Sequence, residues 1–513
     1  MTRRTPRLLR DALPVALATL ALLACLELGA RALDFGAPTP IALPPKTPGS
    51  FRILAFGEST VLGVPEGAYA CTTFLAHELH RMAPDRDVEL LNLARSGIGS
   101  ADVREAFAQG LEGSPDLAIV LMGHNEFLVA EQRRGWRGAL LRLRERSRLV
   151  TALARALGRD AAAVEPPLPD AIPPVWPESP FAREVLEEFG RNLDAIVAMA
   201  RERGIPLILA TAPSNLAEWP PAFLRVELPD SADHAAVVAN TRALLAEGKS
   251  AQALDELQVA KARFGDDAML LYLEAQALRA QGRPSDARVL YQQALDRDLV
   301  PRRASSATNE RVRAAATQDG VVLVDVAALF AKQARDGLVG FELICDNCHP
   351  TPFGHALIGR AIATAMQQRG LLVPPDAQIG SQRDWMARMQ ERNGDAEARL
   401  NMRARWLLSN AIYAMKTPFF NFEASRRYLE EVRQLAPDDW RVWANLATLA
   451  LLDGDLSAGR RDLLRATRLR GAPLDPSERG SVPYLAEALA LTGTSLPPAL
   501  TGTSLPRPSE GGS

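Results

Sequence analysis

The chain has 513 residues, of which 47% are hydrophobic and 23% charged, and its formal net charge is −2 at pH 7. This length exceeds what one hydrophobic core usually serves, so we expect two or more folded units. The near-neutral charge excludes a dedicated nucleic-acid binder, which would carry a strong basic excess. The four cysteines are too few for a fold built on disulfides.

Residues 1–35 have the layout of a signal anchor. Four arginines precede an apolar run from residue 12 to residue 30, which approaches the roughly 20 residues that span a bilayer. No Ala-x-Ala cleavage site stands out, so we predict an uncleaved anchor in a bacterial inner membrane. The positive-inside rule then places the chain after residue 35 in the periplasm. In the lesser interpretation, residues 22–25 form a lipoprotein box and Cys25 carries the lipid.

Residues 36–50 are rich in proline and are expected to form a short extended linker. From residue 51 the chain alternates short apolar runs with amphipathic stretches, which predicts an α/β fold with a parallel sheet and crossover helices. The predicted strands are 53–56, 88–92, 117–122, 207–211 and 321–325. The predicted helices include 72–82, 101–109, 181–203, 309–318 and 354–368.

Between the third and fourth strands, an arginine-rich stretch carries apolar residues at helical spacing from Trp136 to Leu157. We favour a helical cap packed on the α/β domain. The alternative is a helix that lies on anionic lipid beside the anchor.

Between the fourth and fifth strands, a glycine and two alanines recur at an offset of 34 residues. This offset is the period of a tetratricopeptide helical pair, so residues 233–300 are expected to form an insertion of two such repeats. The recurring residues are Gly248, Ala253 and Ala260, then Gly282, Ala287 and Ala294.

A second tetratricopeptide-like region is expected at 383–490, where Trp443, Gly454 and Ala466 occupy repeat positions. Stacked repeats usually present a concave face to a protein partner, whereas a plain helical buttress is the simpler alternative. Residues 491–513 repeat Thr-Gly-Thr-Ser-Leu-Pro and end in Gly and Ser, so we expect a disordered tail.

The predicted α/β region contains four short polar stretches, which we call blocks. Ser59 follows the first predicted strand in Phe-Gly-Glu-Ser-Thr, and the later blocks are residues 92–97, Gly-His-Asn-Glu at 123–126 and Asp-Asn-Cys-His at 346–349. Open α/β sheets place ligand chemistry at the carboxyl ends of their strands. A serine there becomes a nucleophile when a base and oxyanion donors converge on it. Each block alone is a weak signal, but together and in this order they predict a catalytic site.

The four blocks resemble those of the SGNH (GDSL-type) hydrolase family over residues 51–215 and 301–372, within a predicted domain of residues 51–232 and 301–372. The resemblance implies a flavodoxin-like, three-layer α/β/α domain. It also implies that Ser59 is the nucleophile, that His349 is its base and that Asp346 orients the histidine. The oxyanion hole would comprise the Ser59 and Gly97 N–H groups and the Asn125 side-chain amide. Glu58 replaces the family's more usual aspartate.

Cys345 and Cys348 bracket Asp346. A zinc site in this segment would use the histidine that the serine needs, so we expect no metal and no cofactor. In an oxidising periplasm a local disulfide is the favoured state, and two reduced buried thiols are the alternative.

The sequence supports two functional hypotheses. In the first, a membrane-anchored serine esterase cleaves or transfers small O-acyl groups on an envelope glycan or lipid, and the repeats bind a protein partner. In the second, the chain is a scaffold of an envelope polysaccharide assembly whose α/β domain is inactive or binds carbohydrate.

Overall fold

The structure, a computed structural model, describes residues 7–33, 41–64, 67–134, 143, 147–156, 174–221, 231–381, 396–415, 421–477 and 480–493. This part of the chain contains one five-stranded sheet and two groups of packed helices. The strands are β1 (Phe51–Gly57), β2 (Val88–Asn92), β3 (Leu117–Leu121), β4 (Leu207–Ala210) and β5 (Val321–Val324).

The helices before β5 fall into two sets. Those before and between the first four strands are α1 (Arg7–Ala32), α2 (Ser59–Leu62), α3 (Cys71–Met82), α4 (Ser100–Gly110), α5 (Glu126–Gln132), α6 (Arg148–Ala156) and α7 (Pro180–Glu202). Those between β4 and β5 are α8 (Ser231–Ala246), α9 (Ser250–Phe264), α10 (Ala268–Ala280), α11 (Pro284–Asp296) and α12 (Ser306–Ala315).

The helices after β5 are α13 (Val326–Gln333), α14 (Pro352–Gln368), α15 (Ala396–Met415), α16 (Phe422–Leu435), α17 (Trp440–Leu452), α18 (Leu456–Arg470) and α19 (Leu485–Thr492).

The sheet is parallel throughout, with the strand order β2-β1-β3-β4-β5. Side chains alternate between its two faces, so Ile53 and Ala55 enter one apolar core while Leu54 and Phe56 enter another. Helices α3, α13 and α14 cover the first core, and α4, α7 and α12 cover the second. The predicted α/β class, parallel sheet and three-layer arrangement are therefore confirmed.

This strand order places the topological switch point between β1 and β3, where the crossover connections leave in opposite directions. Open α/β sheets bind their ligands in the crevice at such a point, beyond the carboxyl ends of the strands. The segments that follow β1 and β3 begin with Glu58 and Met122. The blocks that carry Ser59 and Asn125 thus lie at the same edge of the sheet.

Helices α8 to α11 occupy the predicted insertion and bury a shared core that includes Leu257, Leu271 and Tyr291. Gly248 and Gly282 end the first and third of these helices at φ values of +74° and +75°, which favour glycine. Helices α15 to α19 form a separate apolar core. Both regions are helical as predicted, whereas their identity as tetratricopeptide repeats and the domain boundaries stay predictions.

The N-terminal segments differ from expectation in their contacts. Residues 41–50 contain no helix or strand but bond to the α/β domain, for example through the Ile41 N–H and Gln109 (3.0 Å). Glu27 of α1 accepts the Ser147 hydroxyl at 2.7 Å and the Arg148 N–H at 3.0 Å, and so caps α6.

The predicted signal anchor overlaps α1. Among the residues that the structure describes, no helix is long and apolar enough to cross a membrane. Trp136, Leu157 and the predicted disordered residues from 494 onward lie outside the described ranges.

Candidate active site

The turn between β1 and α2 presents Ser59. Strand β1 ends at Gly57, where a Cβ atom would collide with the Leu121 carbonyl oxygen and the Val61 side chain. Glycine therefore permits the close approach of β1 to the end of β3. The next residues are buried, and the Ser59 side chain begins α2 with 6% of its surface exposed. A short strand, a tight turn and a helix start together fix the direction of the serine.

Ser59, His349 and Asp346 form one chain of hydrogen bonds. The Ser59 Oγ atom lies 2.8 Å from His349 Nε2, and His349 Nδ1 lies 2.6 Å from Asp346 Oδ2. Because the carboxylate can only accept, Nδ1 carries a proton and Nε2 of the neutral ring is free to accept the serine proton. The structure thus brings together the predicted nucleophile, base and orienting acid from opposite ends of the α/β region.

His349 and Asp346 belong to a tight loop, residues 344–350, which we call the acid-base loop. A bridge between Ile344 and Pro350 closes it, and the Cys345 N–H donates to the His349 carbonyl at 2.8 Å. Asp346 Oδ1 accepts the His349 N–H at 2.7 Å, which leaves Oδ2 for the imidazole. The three-residue spacing therefore lets one carboxylate hold both the backbone and the ring of the histidine.

Two opposing effects act on the His349 imidazole. Burial disfavours its charged form, but the adjacent Asp346 carboxylate favours it more strongly, and the pKa of His349 rises well above its ordinary value. The site therefore stabilises the imidazolium that forms when the serine gives up its proton.

Asn125 meets the loop that contains Gly97. Its side-chain amide donates to the Ile98 carbonyl at 3.1 Å, and an amide nitrogen has a second N–H to offer. Gly97 is exposed and has a φ of +71°, a backbone conformation that favours glycine. The second and third polar blocks are therefore neighbours, as an oxyanion hole shared between them requires.

Glu58 links the nucleophile turn to the segment after β3. Its carboxylate accepts the N–H groups of Gly123 at 3.1 Å, His124 at 3.0 Å and Asn125 at 3.4 Å. Burial, together with the charge of Glu126, raises the pKa of Glu58 to about 8 even though these hydrogen bonds oppose the change. Glu58 thus positions the backbone that carries Asn125.

Glu126 makes the corresponding link to the second block. Its two oxygens accept the Ser100 N–H at 2.9 Å and the Ser100 hydroxyl at 2.6 Å. Burial raises the pKa of Glu126 to about 7. The two buried glutamates therefore connect the segments that carry Ser59, Gly97 and Asn125. The sequence analysis assigned no role to Glu58.

Residues 55–269 match the model of the GDSL-like Lipase/Acylhydrolase family. This part of the chain is therefore similar to that family. The match covers the segments that contain Ser59, Gly97 and Asn125 and ends before the acid-base loop. In the structure that loop lies against Ser59, through the hydrogen bond between His349 and the serine. No curated protein matches the chain.

Solved structures also align with it. They include an alpha/beta hydrolase from the metagenome of Lake Arreo (14% identity, 63% of this chain, 96% of that chain, TM-score 0.29). A GDSL-like lipase from Bacteroides thetaiotaomicron aligns at 12% identity over 66% of this chain and 97% of that one (TM-score 0.30). An acetylxylan esterase from Geobacillus stearothermophilus aligns at 13% identity over 62% of this chain and 95% of that one (TM-score 0.30). Likenesses at these TM-scores carry no argument about activity.

Two further histidines of the α/β domain, His124 and His355, are buried and neutral. His124 Nδ1 accepts the Ala304 N–H at 3.0 Å, and burial lowers the pKa of His124 to about 3. His355, near the start of α14, is also buried, and burial lowers its pKa to about 3. Neither ring is therefore a second base.

The cysteines beside the catalytic carboxylate are free thiols, so the favoured disulfide between Cys345 and Cys348 is wrong. The Cys345 thiol instead donates to the His349 carbonyl at 3.1 Å, while Cys348 Sγ lies 3.9 Å from His349 Nδ1. The two sulfur atoms therefore engage different parts of the acid-base loop. The disulfide was expected from the predicted periplasmic location, which carries no information on the direction in which each sulfur atom points.

One group of side chains could contact a metal ion. Ligand atoms of Asp346, Cys348 and His349 lie within 4.8 Å of one another. However, the Asp346 Oδ2 and His349 Nδ1 atoms already share the 2.6 Å hydrogen bond that orients the imidazole. An ion there would compete directly with the serine's base.

Helices α15 and α16 contact the acid-base loop, which the sequence did not indicate. The Tyr413 ring of α15 meets the His349 imidazole edge to face, with centroids 5.8 Å apart. The Tyr428 hydroxyl of α16 donates to the Cys345 carbonyl, and its ring packs on Phe341 at 5.8 Å. The C-terminal helices therefore form one wall of the catalytic site.

A loop after β4 also contacts the acid-base loop. The Asn215 N–H donates to the Asn347 carbonyl at 3.0 Å, and its side-chain amide donates to the Ile344 carbonyl. Asn215 thus braces the segment that carries the base.

Proposed function

We propose that the GDSL-type domain is a serine hydrolase that cleaves small O-acyl esters. The observation that carries this proposal is the continuous hydrogen-bonded chain from Ser59 through His349 to Asp346, with distances of 2.8 Å and 2.6 Å. The family match supports an ester as the class of substrate.

The reaction begins when Ser59 Oγ attacks the acyl carbonyl carbon and its proton passes to His349 Nε2. The carbonyl oxygen becomes an oxyanion, and Asp346 stabilises the imidazolium. When the C–O bond to the alcohol breaks, His349 returns the proton to the departing oxygen and leaves an acyl-serine. A water molecule then attacks this ester and His349 accepts its proton. When the C–O bond to Ser59 Oγ breaks, His349 returns the proton to that oxygen, which releases the carboxylic acid and regenerates Ser59.

The oxyanion requires donors that are already in place. We assign this role to the Ser59 N–H at the start of α2, the Gly97 N–H and the second amide N–H of Asn125. Such preorganised donors stabilise charge that develops only in the transition state, so they accelerate the chemical step rather than tighten ground-state binding. Glu58 and Glu126 hold the segments that supply them.

Activity-based labelling tests the proposal. The purified full chain is treated with a fluorophosphonate probe and assayed on 4-nitrophenyl acetate, with Ser59→Ala as the control. We expect stoichiometric labelling and turnover that both depend on Ser59. If the folded wild-type chain is not labelled, the α/β domain is not a serine hydrolase and the scaffold hypothesis gains support.

The acceptor of the acyl group is a finer part of the proposal. Water gives an esterase, whereas a sugar hydroxyl would give an O-acyltransferase through the same acyl-Ser59. Assaying acyl release with and without a glycan acceptor separates these outcomes. Release that requires the acceptor would identify a transferase.

The placement of the enzyme is a separate proposal that rests on residues 1–35. Their arginines and apolar run support attachment to a bacterial inner membrane with the catalytic domain in the periplasm, and lipidation of Cys25 is the alternative. Fractionation of cells that express the full chain or residues 36–513 tests this. Equal partitioning of both into the soluble fraction would overturn membrane attachment.

We also propose that the two helical regions bind a protein partner as tetratricopeptide-like units. The 34-residue recurrence in α8 to α11 supports this. Affinity capture with the full chain and with exposed-face variants of α9 provides the test. Recovery of the same proteins by both would argue for a buttress instead.

A further inference from the structure

Beside the catalytic residues lies a cluster of buried polar atoms that have no hydrogen-bond partner among the residues the structure describes. Four side chains contribute to it: His124, Glu131, Arg302 and Asn347. The unpartnered atoms are His124 Nε2, Glu131 Oε1, Arg302 Nε, Arg302 Nη1 and Asn347 Oδ1. Buried polar atoms are usually satisfied by protein groups or by ordered water, so several unsatisfied atoms together mark a place where water or a ligand binds.

The four side chains converge on one short segment, residues 302–304. Arg302 Nη2 donates to Glu131 Oε2 at 2.8 Å, and the Arg302 carbonyl accepts the Asn347 amide at 2.5 Å. Two residues later, the Ala304 N–H donates to His124 Nδ1 at 3.0 Å. Each residue is thus held by one set of atoms while another atom of the same side chain remains unbonded.

The cluster adjoins the proposed catalytic groups. Asn347 belongs to the acid-base loop, directly after Asp346, and His124 directly precedes Asn125. The charge of His349 also contributes to the lowered pKa of His124, which places the two rings near each other. A group bound to the cluster would therefore lie next to the scissile ester.

The charges of the cluster favour a neutral ligand. Arg302 and Glu131 form an ion pair whose side chains are each only 9% exposed, so their charges cancel. The Ala304 N–H occupies His124 Nδ1, so the neutral ring carries its proton on Nε2 and can donate it. The cluster accordingly offers free donors on Arg302 and His124 and free acceptors on Glu131 and Asn347.

A carboxylate or a dianionic phosphate would repel the acceptors on Glu131 and Asn347, because neither carries a proton to donate. A hydroxyl group both donates and accepts, and adjacent sugar hydroxyls would satisfy both kinds of atom. We propose that His124, Glu131, Arg302 and Asn347 form a subsite for hydroxyl groups of a neutral carbohydrate that carries the ester. This inference rests on the proposed hydrolase function and specifies its alcohol.

Kinetics on paired substrates provide the first test. The full chain is assayed on mono-O-acetylated methyl glucoside, galactoside, mannoside and xyloside, and on 4-nitrophenyl acetate as an ester without a sugar. The variant Glu131→Leu with Arg302→Met removes both charges together, because deleting one would strand the other in a buried site. For the best glycoside, we expect its kcat/KM relative to the aryl ester to fall at least tenfold, mainly through KM.

The matched control makes the same changes in an exposed pair at the opposite edge of the sheet, Glu112→Leu with Arg203→Met. We expect this control to leave the ratio of the two kcat/KM values unchanged. Circular dichroism and thermal unfolding establish that both variants fold. Arg302→Lys, which retains the ion pair but loses the Arg302 Nε donor, should give an intermediate ratio.

A binding measurement tests the subsite without turnover. Saturation-transfer NMR with the unacetylated methyl glycosides should show contact with the wild-type chain and its loss in the Glu131→Leu, Arg302→Met variant. Equal substrate ratios in wild type and variant, or no glycoside contact with the wild type, would show that water fills the cluster and would overturn the subsite. Failure of Ser59-dependent labelling, by contrast, overturns the hydrolase proposal and leaves the binding test decisive.

Discussion

Glu58 should make the stability of the protein depend on pH in a definable window. In the fold its pKa is raised to about 8 from the ordinary value of 4.5, so the folded chain keeps a proton that the unfolded chain loses. Its stabilising contribution is complete below pH 4.5 and is lost as the pH rises through 8. Between pH 5 and pH 8 this loss amounts to roughly 3–4 kcal/mol, at about 1.4 kcal/mol for each pH unit.

Replacing Glu58 with glutamine removes the titration while keeping the volume of the side chain. At pH 5 the variant should be less stable by about 1–3 kcal/mol, because the new amide group must face one backbone N–H that the carboxyl group accepted. As the pH rises, the wild type should lose stability more steeply than the variant, in which Glu126, whose pKa is raised to about 7, still titrates. The free energies of unfolding of the two proteins should therefore converge or cross by pH 8.

Urea unfolding followed by circular dichroism between pH 5 and pH 8 measures this difference. Glu187→Gln, at an exposed position of α7, is the control for loss of an ordinary carboxyl group. Its pH profile should parallel that of the wild type. If the profile of Glu58→Gln is parallel to the wild type as well, then Glu58 is ionised in the fold throughout this range and the reasoning fails.

Three further variants test the site. Asp346→Asn should lower kcat by about 10⁴-fold. It should also move the acidic limb of the pH-rate profile to lower pH, because the carboxylate that raises the pKa of His349 is removed; an unmoved limb would contradict this. Asn125→Ala should lower kcat on 4-nitrophenyl acetate by about 100- to 1000-fold with little change in KM, and a loss confined to KM would exclude an oxyanion role. Gly57→Ala should prevent folding or abolish labelling, because its Cβ meets the Leu121 carbonyl; a fully active variant would show that β1 can shift.

The sequence predicts the sheet well for a physical reason. Parallel strands are buried on both faces, so each appears as a short apolar run, and all five observed strands overlap their predicted ranges. Helix α12 was predicted from residue 309, but it begins at Ser306 because the Ser305 hydroxyl accepts the Thr308 N–H at 3.3 Å and caps it. Caps of this kind set boundaries more sharply than apolar spacing does.

The candidate site was predictable where chemistry fixes residue type and order along the chain. Ser59, Asp346 and His349 were identified in this way, and the structure places them in contact. The glutamate at position 58 gave no sign that it accepts three backbone N–H groups, because the donors follow β3 and only the folded sheet brings them near. The contact with Tyr413 was equally invisible, since no local pattern links α15 to the acid-base loop.

The tyrosines of α15 and α16 have a consequence for how the chain can be divided. The Tyr428 hydroxyl and the Tyr413 ring lie against the same short loop that supplies the histidine. A truncated chain that stops at residue 381 would keep every proposed catalytic residue and yet lose this support. A molecule that shifted these two helices would therefore also move the loop that holds His349 against Ser59.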